Sequence, residues 1–414
     1  MIRKGTLGIC GIAALAISAA ALVLSLPERC GAIPAFTRAS GMSCAACHAP
    51  VPLLTELGKE FADNGYRLGG PPSPEGIVDT GDSLLALERN LPLAVRIDAF
   101  AAYFHSGDAD QTDLETPYMV KALAVGTLSQ KISFYLSFVA SDRGNVMGVM
   151  DAAVKFSDLF GLPLEFSLGQ FQIVETPFDR MQRITYEDYA IYTTRIGMSP
   201  TDLTYDRGVE LSLAPWKGSD LSIEAVNGNG IDPAKDYFDD DSWKNVLFRA
   251  SQEVGPVGIG AFGYLCRNSM WRGGTEWVEN RHYYWGLDAA AAIGGNLRIS
   301  AQFLQRIDEN PFLRLSDVYE TSTNGVLAEA VWAVRGEEGR SFVTLLYNFV
   351  GSNVDEKYAN GYDLWLHQPS PLEYESATVN FSYLLRRNLR ISTEATYRSS
   401  DETSAFVAGI VTAF

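Results

Sequence analysis

Basic residues are in short supply. The chain has 33 Lys and Arg against 50 Asp and Glu, a net charge of −17, and residues 1–32 carry +2, which leaves −19 for the remainder. That balance excludes a nucleic-acid backbone as a partner and suits cations or basic proteins, or simply keeps surface loops solvated. Stretches with a helical period are also few, so the long amphipathic segments described below have little to pack against within a soluble fold. Of the 5 cysteines, Cys10 and Cys30 lie in the first 32 residues. Only Cys44, Cys47 and Cys266 lie beyond them, which excludes a disulfide framework and leaves Cys266 as a lone residue.

Residues 1–32 read as an export signal. Arg3 and Lys4 form a basic start, Leu7 to Leu26 is apolar and small, and Cys30-Gly31-Ala32 offers small residues before a cut near Ala32. An uncleaved anchor helix is the alternative, because the apolar run nearly reaches bilayer-spanning length. Glu28 and Arg29 occupy positions where lipoprotein processing at Cys30 needs small neutral residues.

The only concentrated chemistry is Gly41-Met42-Ser43-Cys44-Ala45-Ala46-Cys47-His48. Two thiols three positions apart leave one helical turn together and can reach two vinyl groups, and the next residue is a histidine that can sit under an iron; this is the attachment pattern of haem c. With 5 Cys and 4 His in 414 residues, chance would produce the pattern about 6 times in 10,000 chains. A thioredoxin-like pair would need a βαβ context, and a zinc site a second Cys or His pair nearby; neither is present. Cys44 and Cys47 are therefore the expected thioether residues and His48 the proximal ligand of one covalent haem c, whose attachment outside the cytoplasm agrees with export.

Residues 33–68 form a small segment around this motif. Leu53, Leu57 and Phe61 recur at i, i+4 and i+8 in the run Pro52 to Phe61, which predicts one helix whose apolar face covers the haem edge, with Gly65 as its C-terminal cap. Gly69-Gly70-Pro71-Pro72-Ser73-Pro74 begins a linker over 69–90, in which 82–88 reads as a short helix. The segment is too small to enclose a haem alone.

From Leu91 the period changes to two. In Lys131 to Phe138, Ile132, Phe134, Leu136 and Phe138 share one face while Ser133 and Ser137 take the other, and the same alternation recurs in 376–383 and 389–398. Sixteen strands are predicted, over 91–104, 116–127, 131–141, 148–158, 163–173, 203–214, 219–227, 244–253, 257–267, 281–291, 297–306, 324–334, 341–350, 371–385, 389–399 and 405–414. Short turns at 129–130, 161–162, 217–218, 255–256, 294–295, 337–338 and 387–388 alternate with longer polar loops. An even number of ten-residue amphipathic strands with this alternation is the signature of an outer-membrane β-barrel over 91–414. The last strand agrees, placing Phe406, Ala408, Ile410, Thr412 and Phe414 on one face. The fold class is thus all-β, an antiparallel barrel of about 16 strands behind a small helical cytochrome segment, with both barrel ends on the periplasmic side.

Polar parity assigns Arg96, Asp98, Lys121, Asp151, Lys155, Arg249, Asp288, Arg298, Arg390 and Glu394 to the lumen. A mixture of both signs fits either a weakly selective pore or a plugged barrel lined by ion pairs. No Met or His lies between residues 49 and 104, so a second axial ligand has to come from the barrel. Met119 shares lumen parity with Lys121 and is the first choice; His105, at the end of the first strand, is the second, although methionine more often simply fills space. Asp108, Asp110, Asp113 and Glu115 in the first loop, with Asp236, Asp239, Asp240 and Asp241 in another, present oxygen ligands that suit Fe(II), or are ordinary solvated acidic loops.

Gly169-Gln170-Phe171-Gln172 with Glu175-Thr176-Pro177-Phe178 resembles the strand leading into the long third loop of phosphate-selective porins, a loop that folds inward; here it would be 175–201, the longest in the chain. More specifically, Ile33 to Arg38, the octapeptide 41–48, Pro52-Leu53, Gly58, Phe61 and Gly65-Tyr66 resemble the start of the fused monohaem cytochrome-porins of iron-oxidising bacteria. The likeness is specific over 33–68 and architectural over 91–414. It implies an electron-transfer protein with iron-oxidase-like activity: extracellular Fe(II) gives one electron by outer-sphere transfer to a haem in the barrel, and a soluble periplasmic cytochrome or other carrier removes it. A porin for small anions with the haem as plug or sensor, and a conduit that reduces external acceptors, are the competing readings.

Overall fold

The computed structural model describes residues 37, 42–50, 52–63, 78, 80–82, 85, 93–107, 109–129, 131–174, 176–231, 237–239, 241–272, 276–316, 318–354 and 373–414. The predicted export signal lies outside these residues, as do the Gly65 cap and most of the linker with its predicted helix. Among the described residues, the short helices α1 (Cys44–Cys47) and α2 (Glu56–Asp63) precede sixteen strands. These are β1 (Leu93–Ser106), β2 (Ala109–Ser129), β3 (Ile132–Asp142), β4 (Gly148–Phe156), β5 (Leu164–Gln172), β6 (Tyr205–Leu213), β7 (Ser219–Val226), β8 (Asn245–Val254), β9 (Val257–Arg272), β10 (Glu276–Ile293), β11 (Leu297–Asp308), β12 (Thr321–Ala333), β13 (Ser341–Ser352), β14 (Glu373–Arg386), β15 (Leu389–Arg398) and β16 (Thr403–Ala413).

Each strand pairs antiparallel with its sequence neighbours, and β1 pairs with β16 to close the barrel. The register of closure runs from Arg96 opposite Ala413 to Ser106 opposite Thr403, so no strand edge is left unpaired along the wall. All seven short turns fall at one rim, together with the start of β1 and the end of β16. Gly255, at φ +62°, is one of the residues that lets such a turn reverse so tightly.

Alternation decides which face each side chain takes. In β14, Ser376, Thr378, Asn380 and Ser382 are buried inside, whereas Val379 and Phe381 are exposed outside. The outer surface therefore carries a band of large apolar residues, among them Leu136, Leu168, Phe248, Ile259, Leu287, Ile299 and Leu345. A polar lumen with an apolar exterior inverts the arrangement of a water-soluble protein. Phe406 and Phe414 are on the outer face, as the pattern of the last strand implies. All ten charged residues assigned to the lumen are buried or half-buried, and Arg249 pairs with Asp288 at 2.6 Å.

The predicted first loop needs correction. β2 begins at Ala109, and Asp110, Asp113 and Glu115 pair in register with β1. The polar composition of 109–115 reads as a loop, but a strand above the apolar band needs no apolar face because water covers both sides. Asp108 lies outside the described residues.

The segment between β5 and β6 folds into the lumen, as the resemblance to porin loops implies. It contains two 3₁₀ turns, Arg180–Gln182 and Ala190–Thr193. Ile191 packs so closely on β12 that a Cβ at Gly325 would lie 2.3 Å from its Cγ1. Ile191, Tyr192 and Tyr189 join Leu247, Tyr264, Tyr284, Leu304, Leu327 and Leu346 in one buried cluster inside the wall formed by β7–β13. Polar anchors supplement the packing. Glu394 accepts the backbone N–H groups of Tyr186 (2.7 Å) and Glu187 (2.8 Å), and Arg306 donates to the Thr201 carbonyl at 2.8 Å. The inward loop is therefore part of the barrel's core rather than a free strand of chain.

Candidate cofactor site at the barrel mouth

The motif segment is a compact knot. Ser43 caps α1 by accepting the Ala45 N–H at 3.3 Å, and the chain after His48 doubles back through a bridge between His48 and Leu54. Thr55 fastens the second helix onto the first: its N–H donates to the Cys47 carbonyl at 2.9 Å and its hydroxyl to the Ala46 carbonyl at 2.7 Å. Gly58 is required at this crossing, because a Cβ there would sit 2.2 Å from the Cys47 carbonyl oxygen. The predicted helix over 52–61 starts only at Glu56, since Pro52 to Thr55 are used to make the turn.

His48 is half-buried and presents one ring nitrogen. Its Nδ1 lies 3.1 Å from the Pro52 carbonyl, which fixes that nitrogen as the N–H donor and leaves Nε2 with its lone pair. Burial lowers the imidazole pKa, and the Pro52 and Leu53 carbonyls oppose this only in part, so the ring is neutral at neutral pH. Cys44 and Cys47 are unbridged thiols, both partly accessible. Burial, and then the neighbouring Cys44, push the Cys47 thiol pKa up.

The knot sits at the short-turn rim and is tied across it. Arg298 of β11 donates to the Leu54 carbonyl at 2.9 Å, while Cys44, Cys47 and His48 border a cavity of about 400 Å³ against β1–β6. Leu123, Val125 and Phe171 give this cavity apolar walls, and Arg96, Lys121, Asp151 and Lys155 give it charge. Asp179, Met181 and Gln182 of the inward loop also line it. Arg96 is paired with Asp98 at 2.7 Å and Lys155 with Glu165 at 3.0 Å. Lys121, only 3% exposed, makes no hydrogen bond or ion pair within 4 Å among the described residues. The buried Tyr205 hydroxyl likewise has no partner there.

The residues present fit a haem. Two unbridged thiols and a neutral imidazole with a free Nε2 stand at one border of a space with apolar walls. An ammonium without a hydrogen-bonding partner and a spare hydroxyl supply what carboxylate side groups require.

Neither Met119 nor His105, the residues expected as second ligands, lines this cavity. Met119 packs beside Phe100 and Tyr118 and against Val139, Met150 and Tyr205, and is not among the residues that line this cavity. His105 stands at the other end of β1, 2.8 Å from Asp110. The methionine on the cavity wall is Met181, which the strand pattern alone does not single out because it belongs to no strand. Its signal was its membership of the loop expected to fold inward.

The acidic groups are engaged locally. Glu115 accepts from the Tyr186 hydroxyl at 3.0 Å, Asp239 pairs with Lys244, and Asp241 accepts from the Trp243 N–H at 2.8 Å. Asp236 and Asp240 lie outside the described residues. Among the described residues, no three His, Cys, Asp or Glu side chains converge as a cation cage. Cys266 is buried in the barrel wall on the luminal side, opposite His282 in the β9–β10 register.

No protein-family model and no curated protein matches the sequence. Solved structures do. An anion-selective porin from Comamonas acidovorans superposes with a TM-score of 0.55 at 13% identity, over 78% of this chain and 99% of that one. OmpF of Salmonella typhi, solved with daunomycin, gives 0.51 at 12% identity over 78% and 98%. OprB of Pseudomonas putida gives 0.51 at 12% identity over 78% and 93%. The fold of this chain is that of the outer-membrane porins.

Proposed function

We propose that this chain is an outer-membrane electron conduit that carries one covalent haem c at the periplasmic mouth of its barrel, accepts electrons derived from extracellular Fe(II), and hands them to a periplasmic carrier. The observation that carries the reading is the placement of Cys44, Cys47 and His48 on the border of a luminal cavity. A CAACH sequence (residues 44–48) on an exposed tail would have no such shelter. The apolar exterior and the predicted export signal support location in the outer membrane.

Within this reading, Cys44 and Cys47 would form the thioethers and His48 Nε2 would be the proximal ligand. A haem bound there supplies reversible one-electron chemistry between ferrous and ferric iron. The Pro52 carbonyl holds the His48 tautomer, and Thr55 and Gly58 hold α1 against α2 so that both thiols stay on one side. Leu123, Val125 and Phe171 exclude water, while Lys121 neutralises carboxylate charge. Outer-sphere transfer breaks no bond, so the site needs no general acid or base. The barrel's part is to carry a redox centre through an insulating layer whose apolar core is about 30 Å thick.

The test is the reduction of haem in intact cells by Fe(II), followed by its reoxidation by an added periplasmic cytochrome in membrane fragments. Both should occur in the wild type and be lost in Cys44→Ala. Absence of covalent haem from purified protein would refute the reading. Reduction from the periplasmic face with release to external acceptors would reverse its direction.

Anion transport is the second reading, favoured by the fold likeness to an anion-selective porin and by Arg96, Lys121 and Lys155 in the cavity. Steady anion-selective conductance in planar bilayers, diminished in Lys121→Met, would support it. The apolar cluster between the inward loop and β7–β13 predicts little conductance.

A further inference from the structure

We infer that Met181, on the inward loop, is the second axial ligand of the iron in the haem site proposed above. The inference rests on that reading and assigns it a residue. Ligation on the face away from His48 requires a soft or nitrogen donor on the cavity wall, from a part of the chain independent of the motif. Among the described residues that line the cavity outside the motif, the side chains that could reach an iron as ligands are Met42, Met181, Lys121 and Lys155, with the phenols of Tyr135 and Tyr205 as oxygen donors.

Physical differences separate these candidates. Met42 is two residues from Cys44 and is held to the same turn by the Ser43 cap. Lys155 is committed to Glu165 at 3.0 Å. Lys121 is an ammonium, which binds iron only after giving up a proton, and its charge is of more use against a carboxylate. The Tyr135 and Tyr205 phenols would likewise have to lose a proton before binding iron. Met181 needs no deprotonation, and its sulfur is a soft ligand suited to haem iron.

The backbone that carries Met181 is held from two sides. Its N–H donates to Asp179 Oδ1 at 2.7 Å, and its carbonyl accepts from Arg96 Nη1 at 3.3 Å. The same short turn is clamped by Arg180 and Arg183, which both pair with Asp188, at 2.5 and 2.7 Å. A ligand on a loop is loose unless its neighbours fix it, and this one is fixed to the wall of β1. The side chain packs, as that of Met119 does, on the cluster of Val139, Met150 and Tyr205, but of the two it is Met181 that lines the cavity. Coordination donates a sulfur lone pair to the iron, breaks no covalent bond and moves no proton. Its consequence is a higher reduction potential than a second histidine would give.

The test uses the full-length protein purified from outer membranes. Covalent haem is quantified first by its pyridine haemochrome, so that failure of the haem reading is seen as missing haem. With haem present, the ferric wild type should show the far-red sulfur-to-iron absorption band. Met181→Ala should abolish that band and lower the potential, whereas Met42→Ala and Met119→Ala should retain the band. Met181→His should restore a low-spin spectrum without the band, at a potential below that of the wild type, and thereby separates lost ligation from lost folding. Heat-dependent gel mobility checks that each barrel is closed. A band that is absent from haem-loaded wild type, or that survives Met181→Ala, overturns the inference.

Discussion

The two sides of the barrel wall treat the lumen differently. Along β7–β13 the inward positions include Val226, Leu247, Tyr264, Leu304, Leu327 and Leu346, and the inward loop is pressed onto them to make a buried apolar core. Along β1–β6 the inward positions include Arg96, Lys121, Ser133, Asp151, Lys155 and Ser167 beside the apolar Leu123, Val125 and Phe171, and there a cavity remains. An apolar wall is closed by whatever chain can cover it, whereas charged and hydroxyl side chains keep their hydrogen-bonding needs and resist being packed against. One loop thus seals half the barrel and roofs a chamber in the other half, and the segment that carries Cys44, Cys47 and His48 stands at the chamber's open end.

The largest effect expected from breaking this division concerns the chamber. Replacing both Cys44 and Cys47 by Ala should eliminate covalent haem completely, with the barrel still closed, since neither residue touches the sheet register; haem staining beside a heat-modifiability gel reads both. Next comes the sealed side. Leu327 is 1% exposed within the loop-covered core, and Leu327→Ala should destabilise the folded barrel by about 2–5 kcal/mol, measured by urea unfolding from lipid vesicles.

A pH series sharpens the role of the clamp between the two sides. Burial alone would raise the pKa of Asp188, but Arg180 and Arg183 outweigh it and hold the carboxyl well below the usual carboxylate range. A depressed folded pKa means that its contribution is fully present above the unfolded value of about 4 and is lost as pH falls below it. Protease sensitivity of the 175–201 loop should therefore be constant from neutral pH down to that point and rise below it. Asp188→Asn should be sensitive at every pH. The smallest effect belongs to the outer loops: Asp239→Asn with Asp241→Asn should leave Fe(II)-driven haem reduction unchanged, because these carboxylates serve Lys244, Trp243 and Ser269. A slower rate would give the acidic loop a role in iron capture after all.

Much of the fold was legible. Each of the sixteen strands lies where the period of two places it, because an inside-out barrel writes its two faces into alternate residues. The misplacements have one cause: β2 begins at Ala109 and β9 runs on to Arg272, beyond the apolar band where no alternation is demanded. The candidate site was legible only in its local part. Cys44, Cys47 and His48 are contiguous, and their chemistry is a matter of spacing within one turn. The choice of Met119 followed from parity, which tells inward from outward but not how far along the barrel a side chain stands or what covers it.

Sequence alone therefore determined the barrel, its strand number, the identity of its inward charges and the presence of a CAACH motif, since each depends on neighbours within a few residues. Only the tertiary structure decided that the motif faces a cavity bounded by β1–β6, that Arg298 fastens it across the mouth, and that Met181 forms part of the wall. Those facts join residues far apart in the chain, Leu54 with Arg298 and Arg96 with Met181 among them. Contacts of that range are set by closure of the sheet and by the path of one inward loop, and no local pattern encodes them.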